Sequence, residues 1–150
     1  MYFSAINKAI QNLEEKKFYD IAMMYLERVG YKELSIVDGS GDGGRYVTCS
    51  RDDLRIQLSV RDKWQVKINE EAAITKNAGL RHLIFVTNRF ISPAAEQDFF
   101  ERLYRFKGEV EVTIASLRRI ATSIPCVGLA PSSVRNSSGN WRHDNATFGR

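Results

Sequence analysis

Apolar residues recur at helical spacing near the start of the chain. Ile6, Ile10 and Leu13 form one series, and Phe18, Ile21, Ala22 and Tyr25 continue it after a small phase shift. This predicts one long or kinked helix over residues 4–29, with Gly30 as its C-cap. The period then shortens. Leu34 to Val37, inside Lys32–Asp38, predict a short strand. Residues 46–50 and 54–60 predict a hairpin turned at Arg51-Asp52-Asp53. In its second strand Leu54, Ile56, Leu58 and Val60 face one way, while Arg55, Gln57, Ser59 and Arg61 face the other. Asp62 is placed to cap a helix from Lys63 to about Ala78, with Trp64, Ile68 and Ala72 on one side and Gly79 at its end.

His82 to Thr87 is a nearly continuous apolar run, which suits a strand covered on both faces and implies a parallel neighbour. Ser92-Pro93 then opens a helix carrying Phe99, Phe100, Leu103 and Phe106. Residues 109–115 alternate, with Val110, Val112 and Ile114 together. A short basic helix over 116–123, with Arg118 and Arg119, is predicted to stop at Pro125. The order is α-β-β-β-α-β-α-β-α, an α/β domain with a mixed sheet between helices. Residues 1–130 form the domain in this reading. Residues 131–150, rich in Ser, Asn, Gly and Arg, form a polar basic tail or linker.

The length of 150 residues fits one domain with its own core. No apolar run reaches the roughly 18 residues of a membrane span, and no signal-peptide pattern opens the chain. Two cysteines, Cys49 and Cys126, make no disulfide framework, so a reducing, cytoplasmic setting is expected. A net charge of +4 favours an anionic partner weakly.

Candidate chemistry gathers around residues 39–44, where four glycines stand in six positions. Such a run lets the backbone turn tightly or approach another group. No Gly-Lys-Ser/Thr follows, so a phosphate-cradling P-loop is not indicated. Asp42 lies in this run, Tyr46 begins the hairpin, and Gln57 and Ser59 share the polar side of the next strand.

Gly41-Asp42-Gly43-Gly44-Arg45, Ile56-Gln57-Leu58-Ser59-Val60, Trp64 with Lys67-Ile68, and Ile84-Phe85-Val86-Thr87-Asn88-Arg89 follow one another in the order of a known family. Over roughly residues 10–120 the chain resembles the PD-(D/E)xK nucleases, the restriction-endonuclease-like fold, and within them the Mrr-type branch. The resemblance implies an α-β-β-β-α-β core and a metal-dependent DNA endonuclease or nuclease module of a prokaryotic restriction or anti-phage defence protein. It also implies Mg²⁺ or Mn²⁺ as cofactor and DNA as partner. It leaves open an appended or separate partner protein and a homodimer; no membrane partner is expected.

The chain departs from the family pattern at its ionisable positions. Tyr46 stands where the metal-binding aspartate is usual, Ser59 where the lysine is, and Tyr19 where the first helix offers a glutamate. Neighbouring residues are the candidates to make good these losses: Asp42 with Gln57 at the metal, Lys67 (or Lys63) in the lost lysine's role, and Glu15 as the first-helix acid. Arg45, Arg55 and Arg61 are assigned to the phosphates. The alternative is a catalytically degenerate domain that binds nucleic acid or a protein through the same cleft.

Plainer readings stand beside these. Asp42 can serve the turn alone. The Arg55-Gln57-Ser59-Arg61 stripe can be a solvated edge, unless a helix covers it and its polar groups need partners. Lys67 reads as a surface lysine, Trp64 and Cys49 as core, and His82 and His143 as residues without an acidic companion.

Overall fold

A computed structural model describes residues 2–38 and 45–128, with side chains over 4–38 and 45–123. Helices α1 (Tyr2–Gln11) and α2 (Glu15–Arg28) are followed by strands β1 (Ser35–Asp38), β2 (Arg45–Thr48) and β3 (Leu54–Ser59). Then come helix α3 (Trp64–Asn77), strand β4 (His82–Thr87), helix α4 (Pro93–Asp98), a π-helical turn (Phe99–Leu103), strand β5 (Glu111–Ala115) and helix α5 (Leu117–Gly128). The five strands lie in sequence order in one sheet. β1, β2 and β3 pair antiparallel, and β3, β4 and β5 pair parallel. This is the mixed α/β sheet that the apolar pattern predicts, with β4 parallel to both neighbours.

Alternation sorts the side chains into two cores. Val47, Ile56, Leu58, Ile84, Val86 and Ala115 face α1, α2 and α5. Leu83, Phe85 and Ile114 face α3 and the π-helical turn, where Trp64 meets Phe99 edge-on at 5.2 Å. Trp64 is core, as predicted.

Four boundaries differ from the sequence reading. The first helix is two, broken at residues 12–14, where the apolar phase shifts. The last strand begins at Glu111, because Val110 closes the preceding turn with its N–H on Phe106 O. Asp62 does not cap α3; the N-cap is Lys63, and Asp62 pairs with Arg89 at 2.8 Å. Helix α5 passes through Pro125, which removes one backbone hydrogen bond without ending the helix. No helix among the described residues is long and apolar enough to cross a membrane.

Candidate functional site

Arg45 pairs with Leu58, Leu58 with Val86, and Val86 with Ala115. One end of the sheet therefore gathers the start of β2 and the ends of β3, β4 and β5. Segment 39–44, Asp42 included, lies outside the described residues; it links Asp38 to Arg45, whose side chains pair at 3.1 Å.

Tyr46 sits opposite Gln57 in the antiparallel register, so both point to the face that α3 covers. Arg55, two residues before Gln57, shares that face. Its guanidinium lies 4.7 Å from the centre of the Tyr46 ring, and its Nη2 is 3.1 Å from Glu71 Oε2. Lys67 Nζ is 2.8 Å from Glu71 Oε1. The result is a chain of contacts, partly buried at Tyr46 and Arg55 and buried at Glu71 and Lys67: ring, guanidinium, carboxylate, ammonium. The polar stripe of β3 is thus no solvated edge, since Gln57 and Ser59 are buried beneath α3. Lys67 is no surface lysine either, at 4% exposed.

Three of the nearby polar groups serve the backbone. Gln57 Nε2 donates to Leu58 O, Ser59 Oγ accepts from Arg61 N–H, and Thr75 Oγ1 donates to Glu71 O. Thr87, opposite Ser59, accepts in the same way from Arg89 N–H. Asn88 Oδ1 is buried without a hydrogen-bond partner among the described residues.

The three candidate arginines do not form one cluster. Arg45 alternates with Tyr46 and so lies on the opposite face, where its guanidinium is 5.3 Å from the Tyr19 ring. Tyr19 donates to Glu15 Oε1 at 2.5 Å. Burial first, then that bond, holds the Tyr19 phenol well above its ordinary value. Arg55 is committed to Glu71. Arg61 lies at the sheet end, 3.2 Å from Glu70 and 43% exposed. Lys63 is exposed just before α3.

Sequence reasoning missed Glu71. Its signal was the i,i+4 spacing from Lys67 on a helix side that also carries Ile68 and Ala72. It missed too that His82 has an acidic neighbour, Glu111, across the β4–β5 pair at 3.7 Å. Cys49 is half-buried, with Sγ 3.5 Å from Arg51 O.

A divalent ion of the Mg²⁺ type wants hard oxygens, chiefly carboxylates. At the family's positions the described residues offer two phenols (Tyr19, Tyr46), the Gln57 amide and the Ser59 hydroxyl. The one buried carboxylate on this face among the described residues, Glu71, already serves two cations. Among the described residues no group of three or more His, Cys, Asp or Glu could hold a metal ion. This donor set does not fit the ion.

Compared with known proteins, residues 10–111 match the family model described as restriction endonuclease, that of the Mrr catalytic domain. No curated protein matches the chain.

Proposed function

The chain belongs to the restriction endonuclease family, and from that premise we propose that its nuclease-type domain binds the DNA backbone at the sheet end beside Tyr46 and Gln57 but has lost the family's route to phosphodiester cleavage. The observation that carries this reading is the Tyr46 ring lying on the Arg55 guanidinium. A phenol stands where a metal-binding carboxylate is needed. The buried acid behind that guanidinium, Glu71, is shared between Arg55 and Lys67. Arg55 and Lys67 are buried around Glu71, and the exposed side chains beside them at this sheet end include the cations Arg61 and Lys63. Such a face suits phosphate better than a metal ion.

A second reading is favoured by one observation, the transport of Lys67 to the same buried face as Gln57. In it, Asp42 beside Gln57 would supply the hard oxygen that the described residues lack for Mg²⁺, Lys67 would replace the lysine lost at Ser59, and the domain would cut DNA. In either reading the domain is a module of a restriction or anti-phage protein, with residues 131–150 as its polar basic tail or linker.

The test is plasmid nicking with Mg²⁺ and with Mn²⁺, beside binding of a labelled duplex across a salt series. The expected result is binding that weakens linearly in log–log terms as salt rises, without nicking. Nicking by the native chain, abolished by EDTA and by Asp42→Ala, would establish the second reading instead.

A further inference from the structure

Beyond Thr87 the chain runs Asn88-Arg89-Phe90-Ile91 to Ser92 at the start of α4, on the same sheet end as the site. Phe90 is 53% exposed, and it is the aromatic among the exposed large hydrophobic residues described. Its loop is tied on every side. Ile91 is buried in the Trp64–Phe99 core. Arg89 O accepts from Leu117 N–H at 2.9 Å. Arg89 Nη2 donates to Val60 O at 2.8 Å, and Arg118 Nε donates to Ile91 O at 3.4 Å. The ring therefore stands out on a fixed stalk and needs little ordering before it meets a partner.

The surroundings indicate which partner. Segments 60–63, 88–92 and 116–119 leave the sheet at this end, and together they carry five cations and one carboxylate. Glu70 and Glu96, from the flanking helices, pair with Arg61 and Arg118. The Arg61–Glu70 pair is about half open to solvent, so it contributes little and exchanges readily for phosphate; the Arg118–Glu96 pair, at 3.7 Å, is long and partly covered. A rigid apolar ring among such cations matches the wedges by which proteins enter a base step while basic side chains hold the flanking backbone.

We propose that Phe90 is a base-step wedge: it inserts into the duplex while Arg61, Arg118 and Arg119 meet the phosphates on either side. This rests on the DNA-binding reading above and adds how the duplex is held and deformed. It also provides sequence preference without base-edge contacts, because pyrimidine–purine steps unstack most easily.

The experiment uses the full chain and a short duplex carrying 2-aminopurine at successive positions, with a fluorescein end label for anisotropy. The native chain is expected to bind and to raise 2-aminopurine fluorescence at one step. Phe90→Ala, on an exposed ring, is expected to lose that rise and to bind about tenfold more weakly, the order contributed by one stacked aromatic. Its salt slope should be unchanged, because no phosphate contact is removed. Equal affinity and an equal fluorescence rise in Phe90→Ala would overturn the wedge and leave DNA binding intact. Failure of the native chain to bind the duplex at low salt would overturn both readings together.

Discussion

The two oxygens of the Glu71 carboxylate are divided between two cations, Oε1 to Lys67 Nζ at 2.8 Å and Oε2 to Arg55 Nη2 at 3.1 Å. All three side chains are buried or nearly so. Removing the shared acid leaves two desolvated positive charges facing each other. Glu71→Gln is therefore expected to cost about 3–5 kcal/mol in urea unfolding. Lys67→Met should cost clearly less, because Arg55 still neutralises the carboxylate and the methionine fills the same volume. The reverse order would show that Glu71 is not the hub of the network.

Of the three departures, the two on the strands are expected to be limiting, and cleavage to return only when both are reversed. Tyr46→Asp places a carboxylate opposite Gln57 and within reach of Arg55. Ser59→Lys places an ammonium two residues along the same side of β3. The double variant is expected to nick supercoiled plasmid with Mg²⁺, and each single variant to remain silent. Silence from a folded double variant, checked by circular dichroism, would mean that the sheet end no longer holds the family's geometry.

Alkaline pH should destabilise the domain through its covered phenols, Tyr104, Tyr19 and Tyr25. Tyr104 donates to Val110 O at 2.6 Å. Burial, then the nearby Glu109, pushes its ionisation up to about 12, and Tyr19 is raised as well. An unfolded tyrosine ionises near 10. The folded state thus keeps protons that the unfolded state releases. The stability linked to them is complete below pH about 10 and is lost as pH rises through about 12. Melting temperature should fall over that window, and Tyr104→Phe should shallow the fall. A neutral-pH loss of about 1 kcal/mol from the missing hydrogen bond would accompany it.

Ser92 Oγ accepts from Ala95 N–H at 3.1 Å and caps α4 with Pro93 at the first position. Ser92→Ala is expected to cost about 1 kcal/mol in thermal melting. Ser92→Asp should keep the stability, since its carboxylate can accept the same bond. Equal losses from both would place the effect outside the cap.

Much of the fold was legible because β3 and β4 carry their environment in their spelling. Leu54-Arg55-Ile56-Gln57-Leu58-Ser59 alternates at a border between antiparallel and parallel pairing, and Leu83 to Val86 is apolar throughout. The break at residues 12–14 showed only as a phase shift. Pro125 misled, because a proline lowers helix stability locally while packing of α5 on α1 decides the outcome. The site was legible only as a set of family positions. That Tyr46 finds Arg55, and that Lys67 turns inward, depends on Glu71. Its role is set by the register of α3 over β3, a long-range fact that local spacing does not encode.

The change of strand direction at β3 divides the sheet into unequal halves. β1 and β2 hold to the rest through three residue pairs, whereas β3 and β4 share six. Amide hydrogens of the β1–β2 ribbon should therefore exchange with solvent through partial openings that leave β3, β4 and β5 closed. Each such excursion lifts Tyr46 from Arg55 and Gln57. The integrity of the site then tracks the free energy of one peripheral ribbon, not that of the whole domain. A ligand gripping both halves would slow exchange selectively in residues 45–48.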